Sequence, residues 1–319
     1  MVVKKTSRPN YKGHEMTVSK VSERESMEVD VVIVGAGPAG LSTARRLMQL
    51  SNEHKLDLNI VVLEKAGAVG GHILSGAVIE SRAFDELFPD WKELGAPLNT
   101  PVTRDEIYFL TSAENSIIVP NWMAPRTMHN GGNYIVSLAQ VVRWMGIQAE
   151  NLGVEIYPGF AASEILFDSE GSVKGVATGD MGIAKNGERK SSYEPGMELH
   201  AKYTVFAEGC RGHLGKQLIE NFNLDMNCSP QHYGIGLKEL WRVDEKNHEQ
   251  GLVIHGAGWP LSENQASGGM FLYHLEENQV ALGIIVDLNY SNPYLSPFDE
   301  LQRLKTHSKI APFLKGGER

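Results

Sequence analysis

Residues 29–40 read Val-Asp-Val-Val-Ile-Val-Gly-Ala-Gly-Pro-Ala-Gly, and this stretch decides the fold. The β-branched run 29–34 ahead of a glycine predicts a strand buried on both faces. Gly35, Gly37 and Gly40 stand in G-x-G-x-x-G order. Gly35 permits the tight turn out of the strand, Gly37 admits a diphosphate against bare backbone, and Gly40 lets a helix pack closely on the sheet. Leu41, Ala44, Leu47 and Met48 share one face of a predicted helix over 41–50. Pro38 and Ala39 open it, so the free N–H groups and positive end of its first turn offer an anion site. A second apolar run, 59–63, ends at Glu64, 24 residues after Gly40. A carboxylate there accepts both ribose hydroxyls of an adenosine and repels a 2′-phosphate, which favours FAD or NAD over NADP.

The next segment bears on the choice between those two. Lys65-Ala66-Gly67-Ala68-Val69-Gly70-Gly71-His72 is glycine-rich and lies just past the ribose-binding acid. Lys65, Gly70, Gly71 and His72 are therefore candidate contacts for a cofactor extended along the backbone, which suits FAD. Residues 203–212 form a predicted strand that ends in the small-residue turn Ala207-Glu208-Gly209-Cys210-Arg211-Gly212. Flavoproteins of the glutathione-reductase type close their site with such a strand, making Gly209 and Arg211 candidates. An ordinary strand-turn-helix corner explains that run equally well, and His72 reads as readily as a structural histidine.

Composition narrows the partners. The 319 residues carry a formal net charge of −9, which argues against nucleic acid, whose phosphates need a basic surface. Two cysteines, Cys210 and Cys228, cannot supply the four ligands of an iron–sulfur or structural zinc site. Their sparseness suits a reducing compartment. No apolar run approaches the roughly 20 residues that span a bilayer. Residues 1–26 are polar and mix Lys4, Lys5 and Arg8 with Glu15, Glu23 and Glu25, which predicts a flexible tail rather than a targeting peptide.

Outward from the first βαβ unit, the pattern predicts an α/β (α+β) fold. A short amphipathic helix is expected over 82–88, hairpins at 107–119 and 162–178, one long helix over 134–152, and a strand at 154–157. A polar loop is expected over 182–195. Strands at 233–241, 251–255, 269–274 and 279–288 predict an antiparallel sheet, followed by a helix over 297–310. Residues 27–66 and 131–228 are expected to form a discontinuous FAD-binding Rossmann-like domain. Residues 67–130 and 229–319 form the second unit.

Several segments carry a family resemblance. Val31–Arg45, Gly70–Ala77, Gly131–Tyr134, Gly175–Gly182, Pro195–Leu199, Phe206–His213, Gly268–His274 and Asn292–Phe298 resemble electron transfer flavoprotein–ubiquinone oxidoreductase. The Gly175–Gly182 and Gly268–His274 segments are the most specific. The resemblance implies FAD and one 4Fe–4S cluster, with electrons passing from reduced electron transfer flavoprotein to ubiquinone. It implies a peripheral protein at the bacterial inner membrane, or the mitochondrial inner membrane if eukaryotic. It makes the 67–130 and 229–319 unit a quinone-binding, membrane-facing domain. Gly268 and Gly269 match the family's glycine pair at the quinone head group, although a bulge or tight turn entering 270–275 explains them as well. The region matching 69–90 faces the membrane in the family, so Ile73, Leu74, Val78, Ile79, Phe84, Leu87 and Phe88 are expected to form an apolar patch.

The family continues beyond Arg319 with its last FAD-contacting segment and a ferredoxin-like region holding four cluster cysteines. The expectation is a fragment or a truncated gene, with the cluster ligands outside this chain and weak FAD binding. No residue is expected to serve as a catalytic acid, base or nucleophile. Two other readings stay open: a FAD-dependent enzyme like the geranylgeranyl reductases, and a non-catalytic FAD-binding fragment.

Overall fold

The computed structural model describes residues 24–74 and 76–319. The expected tail lies almost wholly outside them, but its last residue already belongs to the sheet. Strand β1 (Ser26–Val34) leads to helix α1 (Pro38–Glu53) and β2 (Ile60–Glu64). Then come β3 (Ala77–Ile79), α2 (Arg82–Leu87), β4 (Thr100–Pro101), β5 (Arg104–Leu110) and β6 (Ser116–Val119). Strand β7 (Tyr134–Val136) precedes α3 (Leu138–Glu150), and β8 (Glu155–Pro158), β9 (Ala162–Phe167) and β10 (Val173–Thr178) follow. A ribbon of β11 (Met181–Ile183) and β12 (Arg189–Glu194) leads to β13 (Glu198–Phe206) and α4 (His213–Phe222). The chain continues through β14 (Gly234–Arg242), β15 (Leu252–Gly258), β16 (Gly268–His274) and β17 (Gln279–Asp287) to α5 (Pro297–Leu304) and α6 (Ala311–Leu314).

The first six-stranded sheet runs β8-β2-β1-β13-β10-β9. Its β8, β2, β1 and β13 are parallel, and β10 and β9 return antiparallel. Strand β1 is central and covered on both sides, as its unbroken valine-isoleucine run requires. Val31 and Ile33 pack beneath α1 and α3. Val29, Val32 and Val34 pack on the opposite side with Leu199 and Leu214. Burying one such side chain contributes about 1.5–3 kcal/mol.

The second six-stranded sheet runs β14-β17-β16-β15-β5-β6. Strands β14, β17, β16 and β15 are antiparallel as expected, and β15 also pairs β5 in parallel. Strand β5 enters from the earlier part of the chain, so the pair is joined by a long crossover rather than a hairpin. One face carries Leu237, Ile254, Leu272 and Leu282 against Leu301 and Leu304 of α5. Alternation puts Lys238, His255, Gly269, Phe271, Tyr273, Ala281 and Gly283 on the other face. There Tyr273 and Ala281 meet Ile135 and Val78 from a three-stranded sheet, β3-β7-β4, which joins the two halves of the chain.

Three further expectations need correction. Residues 134–152 are not one helix: Tyr134-Ile135-Val136 is an aromatic and β-branched run that pairs with β3 and β4, and α3 starts only after an extended Ser137. The polar 182–195 stretch is the exposed ribbon of β11 and β12, which has no hydrophobic alternation to reveal it. The helix over 297–310 stops at Leu304. Ser296 Oγ accepts the Asp299 amide at its start, while Thr306 Oγ1 donates to the Arg303 carbonyl and His307 Nδ1 accepts from the Lys309 amide at its end. Such local bonds compete with the helix.

Candidate functional site

The glycine turn lies between β1 and α1. Gly37 caps α1 in extended conformation, φ −83° and ψ −177°, and Pro38 sits in the first turn. The three glycines do different work. Gly35 has φ +105°, and a Cβ there would stand 2.5 Å from the Ala207 carbonyl oxygen. A Cβ on Gly40 would stand 1.9 Å from the Gly35 oxygen. At Gly37 a Cβ would meet no atom within 4 Å, so the middle of the turn opens on free space. Two glycines close the turn and one leaves a cradle beside the N–H groups of α1, whose aligned dipoles favour an anion.

Glu64, at the end of β2, faces this turn. Its Oε2 accepts the Ala36 amide at 3.0 Å and its Oε1 accepts the Ala66 amide at 2.8 Å. Each carboxylate oxygen retains a second lone pair for a sugar hydroxyl. Gly159 N donates to the Ala66 oxygen at 2.8 Å, which draws the β8–β9 turn to the same place.

A cleft of about 770 Å³ opens here. Gly35, Gly37, Pro38 and Ala39 form its floor, Glu64, Lys65, Gly70 and His72 one side, and Gly209 and Arg211 another. Gly40 and Gly71 are not among its lining residues. Gly40 holds α1 against the turn, and Gly71 is folded into a local turn with its N–H on the Ala68 oxygen at 3.0 Å. The Arg211 guanidinium lies 5.0 Å from the centre of the Tyr233 ring.

Sequence reading missed Phe160, Ala161, Glu208, Gly212 and His213, which also line the cleft. Glu208 Oε2 accepts the Gly215 amide at 2.7 Å and its Oε1 faces His213 Nδ1 at 3.3 Å. The acid therefore caps α4. An acidic residue shortly before an amphipathic run was the available signal.

Gly268 and Gly269 lie outside the cofactor cleft, as the first two residues of β16. Gly268 has φ +151°, and a Cβ there would strike the Ile285 oxygen at 2.0 Å. Along the face of the sheet that carries Gly269, Ile285 pairs with Gly269, and Phe109 pairs with Ala257 on one side and Ile117 on the other. Phe109 and Ile117 are exposed.

The apolar patch expected at 73–88 is largely core. Phe88 is 1% exposed; Phe84 stacks on Trp144 with ring centres 6.0 Å apart, and Phe88 packs tilted against it at 4.8 Å. Ile73, Ile79 and Leu87 pack on this cluster, and Val78 packs at the junction of the sheets. Of the seven, Leu74 is the exposed one, at 61%. Trp144 lies more than 50 positions downstream of that run, so no local pattern announced the packing. The exposed apolar surface sits instead on the β5–β6 edge and the turns after it, at Phe109, Ile117, Ile118, Trp122, Met123 and Met128, with Trp122 82% exposed.

The sequence signature described as "ETF-QO, ubiquinone-binding" matches residues 233–319, and that of the Thi4 family matches 14–85. A Pseudomonas aeruginosa protein named electron transfer flavoprotein-ubiquinone oxidoreductase is 62% identical over 298 residues, covering 93% of this chain and 54% of the relative. The mitochondrial protein of that name from Sus scrofa is 58% identical over 299 residues, 93% of this chain and 48% of the relative. Along nearly its whole length the chain is similar to proteins named electron transfer flavoprotein-ubiquinone oxidoreductase. It spans about half the length of these relatives.

Solved structures place the fold of this chain among flavoproteins. A geranylgeranyl bacteriochlorophyll reductase-like protein from Thermoplasma acidophilum superposes with a TM-score of 0.63 at 16% identity, over 92% of this chain and 64% of its own. A flavoprotein/dehydrogenase from Cytophaga hutchinsonii gives 0.58 at 16%, over 92% and 64%. At such identities the likeness speaks for the fold alone. No helix among the described residues is long and apolar enough to cross a membrane.

Proposed function

We propose that this chain is the FAD- and quinone-binding part of an oxidoreductase that moves electrons from reduced electron transfer flavoprotein to ubiquinone. The observation that carries the reading is the cleft in which the open face of Gly37, the first turn of α1 and the Glu64 carboxylate converge. The residues fit FAD. The backbone at 37–40 takes the diphosphate, Glu64 takes the adenosine ribose, and Gly70, His72, Gly209 and Arg211 border the remainder of the cofactor. Bound flavin supplies the capacity to accept two electrons and release them one at a time. The protein's share is to hold the cofactor, shield it and set its surroundings.

Ubiquinone is assigned to Gly268 and Gly269. Backbone N–H and C=O bare of side chains suit a quinone carbonyl, and the strip of Ile285, Ala257, Phe109 and Ile117 offers an apolar approach. The exposed side chains of 117–128 would lodge in the membrane surface and bring the lipid-soluble substrate to that strip, as a peripheral protein of the inner membrane requires. The division into a FAD-binding unit (27–66, 131–228) and a quinone-facing unit (67–130, 229–319) follows from the same assignment. A 4Fe–4S cluster needs four thiolates, and Cys210 and Cys228 are given no part in one.

The test is reconstitution with FAD followed by titration with ubiquinone-1. Flavin that stays with the protein on gel filtration, together with a Gly269 amide that responds to the quinone, supports the reading. A protein that takes up no flavin refutes it.

A further inference from the structure

Across the quinone-facing sheet, β15 and β16 place two titratable side chains in contact on the face that carries Gly269. His255 Nε2 lies 2.8 Å from the Tyr273 hydroxyl, with the rings edge-on at a centroid distance of 5.5 Å. His255 pairs with Phe271 in register, so Gly269, two residues before Phe271 on the same face, is the diagonal neighbour of His255. Diagonal neighbours sit about 7–8 Å apart, within reach of an imidazole and one carbonyl. The surrounding charges are few. Asp105 on β5 acts on both groups and is itself held by the Asn130 amide at 2.8 Å and Asn130 Nδ2 at 3.1 Å. On β14, the Lys238 ammonium sits over the Phe271 ring at 5.0 Å and donates to the Gly76 oxygen.

We propose that His255 is a catalytic residue that protonates the quinone held at Gly268–Gly269, with Tyr273 reloading it. The proposal rests on the quinone assignment above. Reduction of a quinone to a quinol takes up two electrons and two protons. The electrons come from reduced electron transfer flavoprotein in the proposed reaction. As they enter the ring, one carbonyl C=O becomes C–O–H by taking the proton on His255 Nδ1. Nε2 accepts the Tyr273 hydroxyl proton in the same event, so the imidazole returns neutral in its other tautomer. The Tyr273 oxygen then regains a proton from solvent beside Asp105, and the second carbonyl takes its proton from water. Burial keeps His255 below its usual range and pushes Tyr273 up to about 12, so both are neutral donors at pH 7.

Two measurements test this, and they separate it from the quinone assignment itself. In the wild-type chain labelled with ¹⁵N, ubiquinone-1 is titrated while the Gly269 amide and the His255 ring nitrogens are followed. Both sets of signals should move, with Nδ1 moving more than Nε2. A Gly269 amide that responds while both ring nitrogens stay still overturns the relay and leaves the quinone site standing. A silent Gly269 amide overturns the quinone assignment and the relay with it. In the FAD-loaded protein, His255→Gln should lower kcat for ubiquinone-1 reduction tenfold or more with KM within twofold. Tyr273→Phe should make the rate depend on external buffer concentration. A His255→Gln enzyme that keeps kcat within twofold contradicts the proposal.

Discussion

The Glu64 carboxylate accepts the Ala36 amide at 3.0 Å, and so ties the end of β2 to the middle of the glycine turn. In the proposed reading, the group that takes the ribose also shapes the cradle for the diphosphate. Glu64→Gln keeps one acceptor oxygen but loses the charge. It should weaken FAD binding by about 1.5–3 kcal/mol, the range for a hydrogen bond to a charged group, or roughly ten- to a hundredfold in Kd. Quenching of flavin fluorescence during titration measures it directly.

The glycines divide into those that pack against backbone and one that opens on free space. Gly37→Val should leave the melting temperature of the FAD-free protein within a few degrees, because its side chain meets open space, while abolishing FAD uptake. Gly40→Ala should destabilise the FAD-free protein by about 1–3 kcal/mol or more, because its Cβ would fall 1.9 Å from the Gly35 oxygen. Thermal melts with and without FAD separate the two.

Phe88 and Trp122 are both large apolar residues, one 1% and the other 82% exposed. Phe88→Ala should cost about 3–5 kcal/mol of stability, as a buried aromatic in a ring cluster. Trp122→Ala should change stability by less than about 0.5 kcal/mol and should reduce co-sedimentation with phospholipid vesicles severalfold. The reverse assignment would appear as a membrane defect in Phe88→Ala and a folding defect in Trp122→Ala.

Acid should loosen the second sheet. His274 is fully buried, and burial together with His248 and Arg104 lowers it from 6.5 to about 3. An imidazole held neutral in the folded state contributes full stability above pH 6.5 and loses it as pH falls toward 3, because the unfolded chain binds the proton first. The slope approaches about 1.4 kcal/mol per pH unit from this group. Denaturant melts at pH 7, 6, 5 and 4 should show that decline. His274→Asn keeps an acceptor for the Glu249 amide and should flatten it.

How much of this was legible in the sequence follows from the range of the interactions involved. The turn at Gly35–Gly40 and the acid at Glu64 are local to one βαβ unit, and both stand where the residues indicated. Tyr134–Val136 was absorbed into a helix because its partners, Val78 and Thr100, are distant in the chain. Phe84 and Phe88 were assigned to a membrane surface because Trp144, the ring that buries them, belongs to another element. The true apolar surface at 117–128 carries no periodicity, since it is an edge strand followed by short 3₁₀ turns. Glu208 is not distinguished within its turn, because its task of capping α4 rests on backbone amides at 214 and 215 that no residue type marks.

The most direct test of the account is a crystal structure of the chain grown with FAD. The account predicts the diphosphate about 3 Å from the backbone N–H groups at 37–40, with both adenosine ribose hydroxyls on the Glu64 carboxylate. A diphosphate bound elsewhere, or a Glu64 carboxylate turned away from the sugar, would contradict it.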